Sequence, residues 1–141
     1  MELRTPSIDE YDDVLALWDA CGITYRPEGR DASAHIEAEL AADPDYWIAA
    51  YEDDVLVGIV VGTDDGRKGW VNRLAVHPTF QGKGIATRLL AALEAAFEER
   101  GLQVFAALVE AGNVASAAFF EDAGYEASQT TYYSKQENER V

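Results

Sequence analysis

A strand, a turn and a helix follow one another between Leu74 and Leu90, and the turn has the residues needed to hold a phosphate group. Gly82 and Gly84 have no side chain that could block an approaching ligand, and glycine allows the unusual φ angles of a tight turn. The helix that follows Gly84 should direct unbonded N–H groups and a partial positive charge to the same point. These features together predict an anion site of the kind that helix N-termini offer to phosphates.

Two common phosphate motifs are excluded by the spacing of this turn. In a P-loop the second glycine is followed by lysine and then serine or threonine, whereas Gly84 is followed by Ile85. A dinucleotide-binding turn would need a third glycine within a βαβ unit, and that glycine is absent.

The turn resembles the acetyl-CoA-binding motif of the GNAT superfamily of N-acetyltransferases, in which Gln or Arg is followed by two residues, Gly, one residue, and Gly or Ala. Gln81, Gly84 and Ala86 occupy the three fixed positions. The residues before the turn resemble the usual approach to this motif: Leu74-x-Val76-His77-Pro78. The resemblance implies acetyl-CoA as co-substrate, bound by Leu74, Ala75, Val76, Gln81, Gly82, Lys83, Gly84, Ile85, Ala86, Thr87, Asn113 and Phe120.

The implied reaction is transfer of an acetyl group from the thioester to a primary amine by direct attack in a ternary complex, but the usual acid and base are missing. Many members of the superfamily have a glutamate as general base where this chain has Asn72, and a tyrosine as general acid where it has Phe120. Neither side chain can exchange a proton in these roles. The candidate substitutes are Glu110 after the fifth strand, Tyr132 and Tyr133 on the last strand, and Tyr25 in the loop after the first helix.

The acceptor side is implied by the same resemblance to consist of the loop after the first helix and of the last strand. Tyr25, Arg26 and Asn72 are its predicted contacts, and they suit a small-molecule amine, an amino acid, or a peptide N-terminus or lysine. Because the acid and base are missing, an alternative stays open, namely a regulatory module of the GNAT fold that binds CoA with little or no turnover. The resemblance also leaves a homodimer open.

The charge balance restricts the partners. The chain of 141 residues has 26 acidic and 11 basic residues and a net charge of −15, so no nucleic-acid-binding face is expected. Acidity of this degree is typical of proteins from a salt-rich cytoplasm or of proteins with cationic partners. The acidic residues are spread evenly along the chain, which favours the first explanation, a halophilic-type composition.

Composition also argues against membrane and metal chemistry. No apolar run approaches the roughly 20 residues needed to cross a bilayer, and residues 1–20 have no signal-peptide pattern, so a cytoplasmic protein is expected. Cys21 is the only cysteine and is expected to be buried on the apolar face of a helix. His35 and His77 are far apart, so no metal site is predicted.

Hydrophobic periodicity predicts one domain over residues 1–141 with the element order β-α-α-β-β-β-α-β-α-β. This is the order of the GNAT fold, an α/β (α+β) structure with a mixed twisted sheet of about six to seven strands and about four helices. Ser7 and Glu10 match a capping box, and Asn113 can cap the last helix. The predicted elements are strand 2–6, a helix from Tyr11 to Gly22, helix Ala32–Ala42, strands Tyr46–Glu52, Val55–Thr63 and Trp70–Val76, helix 85–100, strand Gln103–Val109, a helix from Asn113 to Gly124, and a strand within 126–135.

Overall fold

A five-stranded sheet forms the centre of the molecule, with helices packed on both of its faces. The computed structural model describes residues 1–141. The strands lie side by side in chain order, with the first four antiparallel to one another and the last pair parallel. The elements are β1 (Glu2–Arg4), α1 (Tyr11–Ala20), α2 (Ser33–Ala42), β2 (Trp47–Glu52), β3 (Val55–Asp64), β4 (Lys68–Val76), α3 (Ile85–Glu99), β5 (Val104–Ala107) and α4 (Val114–Asp122).

An apolar cluster covers each face of the sheet, as expected for strands whose side chains alternate between the two faces. α3 contributes Leu89, Leu93 and Phe97 to the first cluster, and all three are 0 % exposed. α1 contributes Leu17 and Trp18 to the second. Burial of both faces fixes the register of the central strands, and therefore the direction of each side chain at the end of β4.

β4 and β5 pair over only the first half of β4. The last paired residues are Val71 and Ala107, and residues 72–76 have no neighbouring strand on that edge. On the other edge the pairing with β3 shifts by one residue at Asn72, and such a bulge bends the strand that contains it. The two strands therefore separate and leave a gap beside the second half of β4.

The predicted fold class and the order of elements as far as α4 are confirmed. The Ser7 hydroxyl accepts a hydrogen bond from the N–H of Asp9 at 3.1 Å, at the start of a short 3₁₀ turn before α1. The capping box also predicts that the Glu10 side chain accepts a hydrogen bond from the backbone N–H of Ser7. This part of the prediction is wrong, because the Glu10 carboxylate accepts hydrogen bonds from the side chains of Arg4 and Tyr51 instead. These bonds tie the beginning of α1 to β1 and β2.

The predicted strand within 126–135 is wrong, and the sheet has five strands rather than six or seven. Aromatic residues favour strands where they pack against a half-buried sheet surface. Here Tyr132 and Tyr133 are 69 % and 88 % exposed, and their neighbours are mostly polar. The segment has no apolar face to bury, so pairing with β5 would gain little.

Candidate active site

A cavity of about 520 Å³ lies where β4 and β5 separate. Its walls come from the end of β4, the turn before α3, the residues after β5, and α4. The topology therefore brings together segments that are far apart in the chain. The residues that line the cavity and are also predicted to bind acetyl-CoA are Leu74, Val76, Gln81, Gly82, Gly84, Ile85, Ala86, Thr87, Asn113 and Phe120.

Ala75 and Lys83, which are predicted with them, do not line this cavity. Ala75 points to the opposite face of the sheet and is buried in the α1 cluster, as the alternation of side chains along a strand requires. Lys83 is exposed at the mouth of the turn, with its ammonium group 5.2 Å from the centre of the Phe80 ring. Its charge remains close to the N-terminus of α3.

The turn before α3 has the open backbone that its glycines predict. Gly82 and Gly84 have φ angles of +78° and +80°, and no atom lies within 4 Å of the place where a Cβ would stand. The backbone N–H groups from Gly82 to Thr87 donate to no acceptor within the protein. Because the first turn of α3 also contains no acidic residue, this terminus can bind an anion.

The unpaired edge of β4 directs backbone groups into the gap. The N–H of His77 donates to the carbonyl of Val57 on β3 at 2.8 Å. Successive residues of a strand direct their backbone groups to opposite edges, so the N–H and carbonyl groups of Val76 and Leu74 face away from β3. This edge suits an extended ligand that contains amide groups.

The far wall of the cavity contains one carboxylate. Glu110, which follows β5, is the only acidic residue among those that line the cavity, and it is exposed to solvent. Asn113 caps α4 as predicted, because its side-chain oxygen accepts a hydrogen bond from the N–H of Ser116 at 3.1 Å. Of the four candidates for the missing acid and base, Glu110 alone lines the same cavity as Gly82 and Gly84.

A second cavity of about 1090 Å³ adjoins the first and shares Asn72, Phe120 and residues 107–109 with it. Tyr132 and Tyr133 line the second cavity and not the first. The side chain of Asn72 donates to the hydroxyl of Thr63 at 3.0 Å, so it is held at the bulge where the two cavities meet. Asn72 and Phe120 occupy the positions predicted for a general base and a general acid. Both lie at this junction, and neither side chain can transfer a proton there.

Arg73 and Asp31, which were not predicted from the sequence, hold the loop between α1 and α2 against β4. Arg73 lines the cavity, and its guanidinium group donates two hydrogen bonds to the Asp31 carboxylate, at 2.7 and 2.9 Å. The same group lies 4.3 Å from the centre of a Trp18 ring and donates to the carbonyl of Thr24 at 3.3 Å. Asp31 also accepts a hydrogen bond from the backbone N–H of Arg26 at 2.7 Å.

Asp31 is ionised although it is only 5 % exposed. Burial by itself would raise the pKa of Asp31, but the hydrogen bonds and charge of Arg73, together with the N–H of Arg26, outweigh burial and hold the pKa below its ordinary value. One signal in the sequence could have revealed the pair, since an arginine in the apolar run of β4 needs a partner. Which of 26 acidic residues that partner is could not be read from the sequence.

The predicted acceptor contacts Tyr25 and Arg26 lie in the loop that this pair holds. Both are half-buried, and neither lines the first cavity, whereas Ile23 of the same loop does. Cys21 is half-buried rather than buried, and its thiol is directed to the end of β4. The loop therefore reaches the cavity through Ile23 and through its link to Arg73.

No three His, Cys, Asp or Glu side chains are grouped so that they could hold a metal ion. None of the helices combines the length and the apolar character that a membrane crossing requires.

Comparisons with known proteins found a matching family model, similar sequences and similar folds. The model of the acetyltransferase (GNAT) family matches residues 11–125. An acetyltransferase of Photorhabdus laumondii is 35 % identical over 126 residues, which cover 89 % of this chain and 87 % of that protein. The PaiA N-acetyltransferase of Thermoplasma acidophilum, solved in complex with coenzyme A, superposes with a TM-score of 0.79 at 18 % identity and 92 % coverage of both chains. The aminoglycoside N-acetyltransferase AAC(6')-Iy in complex with CoA gives a TM-score of 0.74 at 17 % identity, with 97 % of this chain and 95 % of that chain covered.

Proposed function

Since the chain belongs to the acetyltransferase (GNAT) family, we propose that it transfers the acetyl group of acetyl-CoA to a primary amine, which attacks the thioester directly in a ternary complex. One observation carries the proposal: the free N-terminus of α3 lies at one end of a cavity that continues along the unpaired edge of β4. The first part suits a pyrophosphate, and the second suits the amides of a pantetheine arm. Coenzyme A in two solved structures of the same fold supports the assignment.

Backbone groups make most of the contacts that hold the donor in this proposal. The N–H groups from Gly82 to Thr87 bind the pyrophosphate, and the exposed Lys83 and Arg88 add charge-assisted contacts. The backbone of Leu74 pairs with the pantetheine arm, and the N–H of Val76 donates to the thioester oxygen, where negative charge develops during attack. Asn113 and Phe120 bound the donor on the opposite side.

The acceptor approaches from the loop that contains Tyr25 and Arg26 and reaches the donor beside Asn72. A small-molecule amine, an amino acid, or a peptide N-terminus or lysine would fit this arrangement. A primary amine has a pKa near 10, so only about one molecule in a thousand is neutral at pH 7. A group that accepts the proton of the amine is therefore useful for the reaction, although not essential. Holding donor and acceptor together supplies a large share of the rate by itself. Glu110 takes up the proton of the amine, directly or through a water molecule, because it is the only carboxylate in the cavity.

We expect Glu110→Gln to lower kcat/KM at pH 7 about 10-fold, a modest value for loss of a general base. The loss should shrink as the pH rises towards the pKa of the amine, because the acceptor then arrives without its extra proton. Thiol release from acetyl-CoA, followed as a function of pH, measures this. Glu98→Gln is the matched control, because Glu98 is exposed on α3 and lines neither cavity. A loss of equal size at every pH, or no loss, would remove Glu110 from this role.

Turnover itself separates the two candidate functions. Asn72 and Phe120 favour the alternative of a CoA-binding regulatory module, because neither can transfer a proton at its position. The protein should be incubated in high salt with acetyl-CoA and a panel of amines while free thiol is measured. Thiol release that depends on the amine supports the acetyltransferase, whereas saturable CoA binding without thiol release for any amine supports the module.

Acetyl-CoA affinity is expected to rise with salt concentration. The donor is an anion and the protein has a net charge of −15, so the two repel each other over distances comparable with the Debye length. This length falls from about 10 Å at 0.1 M to about 3 Å at 1 M, so in molar salt only the local groups at the N-terminus of α3 still act. Titration calorimetry from 0.1 M to 2 M potassium chloride tests this, and binding that is tightest at low salt would contradict it.

A further inference from the structure

Two side chains hold the carbonyl oxygen of Val76 at the end of β4. It accepts a hydrogen bond from Gln81 Nε2 at 3.0 Å and a second from Cys21 Sγ at 3.3 Å. A carbonyl oxygen has two lone pairs, so both are in use and neither is open to a ligand. The N–H of Val76 faces the same gap, where β4 has no neighbouring strand. Of the backbone groups of Val76, only this N–H is available to a bound molecule.

The two donors come from opposite sides of the sheet. Cys21 follows α1 and Gln81 precedes α3, and these helices cover opposite faces. The N–H of His77, in the same peptide group as the Val76 carbonyl, donates to Val57 on β3. Both ends of this peptide group are therefore fixed, which restricts rotation of the adjacent peptide group that contains the Val76 N–H.

Each donor is suited to a permanent contact. Burial raises the pKa of the Cys21 thiol, so the thiol keeps its proton and remains a donor at neutral pH. Gln81 lies three residues before Gly84, and its bond to Val76 connects the end of β4 directly to the turn with the free N–H groups. The two parts of the cavity are thus joined by one hydrogen bond as well as by the chain.

We infer that Gln81 and Cys21 are positioning residues for acetyl transfer, because by holding the Val76 carbonyl they fix the Val76 N–H relative to the N-terminus of α3. The inference rests on the proposed function, in which the thioester lies at Val76 and the pyrophosphate at α3. These are two parts of one molecule, so a loose connection misplaces the thioester while the phosphates stay bound. A misplacement of about 1 Å costs about 100-fold in rate.

Matched substitutions test the inference. Gln81→Met removes the donor and keeps the length of the side chain, and it should lower kcat at least ~10-fold while the KM for acetyl-CoA changes less than ~3-fold. Cys21→Ala should lower kcat about 3-fold, whereas Cys21→Ser keeps a donor and should stay within about 2-fold of the wild type. Gln103→Met is the control, because Gln103 is exposed and lines neither cavity. Thermal melts establish that each variant is folded.

A readout that does not need turnover separates the possible outcomes. In protein labelled with ¹³C at the carbonyl of valine, Gln81→Met and Cys21→Ala should each shift the Val76 resonance, and Cys21→Ser should shift it less. An unshifted resonance, an unchanged kcat in Gln81→Met, or a rise in KM alone overturns the inference. Absence of thiol release in the wild type overturns the proposed function, and the catalytic role of the two residues with it. Failure of the inference alone is seen as normal turnover in the variants.

Discussion

Replacing Gly84 by glutamate is expected to weaken the binding of acetyl-CoA at least ~100-fold. The new carboxylate would stand in open space beside the N–H groups proposed to hold the pyrophosphate. Two unit charges about 4 Å apart interact by about 4 kcal/mol at an effective dielectric constant of 20, which is close to a factor of 1,000 in affinity, on the order of 1.4 kcal/mol per tenfold. Salt screens part of this repulsion, and the expected factor is lowered accordingly.

Gly66→Glu is the matched control for this experiment. Gly66 lies in the turn between β3 and β4 with a φ of +83°, and no atom lies within 4 Å of its missing Cβ. The two substitutions therefore add the same charge and impose nearly the same backbone strain, of about 1–2 kcal/mol. Calorimetric titration with acetyl-CoA and thermal melts of both variants complete the test. Equal losses of affinity in the two variants, or full affinity in Gly84→Glu, would show that the site is misassigned.

The local sequence pattern is sufficient to predict the part of the candidate site that consists of backbone groups. The sequence predicts unusual φ angles before a helix at Gly82 and Gly84, and both residues have them. Asn113 is predicted as a cap and accepts the expected bond from Ser116. Such features depend on residues within four positions of one another, so a sequence contains all the information they need. The helix N-terminus and the adjacent strand end follow from that information directly.

The features that could not be predicted depend on contacts between distant segments. Arg73 meets Asp31 across 42 positions, and Cys21 meets the carbonyl of Val76 across 55. No periodicity encodes which acid an arginine will find, or which carbonyl a thiol will reach. The prediction for segment 126–135 is wrong for a related reason, because aromatic residues favour a strand only where they pack against a half-buried sheet surface, and Tyr132 and Tyr133 remain exposed. Local propensity does not contain that surface.

Replacing Asp31 by asparagine is expected to lower the free energy of unfolding at pH 7 by about 3 kcal/mol. The side chains of Arg73 and Asp31 are only 16 % and 7 % exposed, so the substitution leaves a guanidinium group in a largely buried place without its counter-charge. Removal of one partner from a buried ion pair typically costs about 3–5 kcal/mol, because the remaining charge is not solvated. Urea unfolding at a fixed salt concentration measures the change.

The substitution Asp43→Asn is a control that shows how much stability is lost when an exposed ion pair, rather than a buried one, is removed. Asp43 lies 2.8 Å from the guanidinium group of Arg100, but their side chains are 47 % and 36 % exposed. An exposed pair of this kind contributes about 0–1 kcal/mol, so this variant should unfold almost as the wild type does. A similar loss of stability in both variants would show that the burial of Asp31 has no special effect. The comparison matters for the site as well, because Asp31 connects the proposed acceptor loop to β4 through Arg73 and the N–H of Arg26.

The pH dependence of the Asp31→Asn variant tests independently whether the charge of the Asp31 carboxylate stabilises the folded protein. Interactions with Arg73 and Arg26 hold the pKa of Asp31 below its ordinary value in the folded protein, whereas an unfolded aspartate titrates at about 3.9. The stabilisation by Asp31 is therefore fully present above about pH 5 and is lost as the pH falls through the folded-state pKa. The asparagine side chain of the variant does not titrate, so the difference in unfolding free energy between wild type and variant should shrink as the pH falls below about 4. A constant difference between pH 7 and pH 3 would mean that the carboxylate charge does not stabilise the fold, and that shape alone holds the loop against β4.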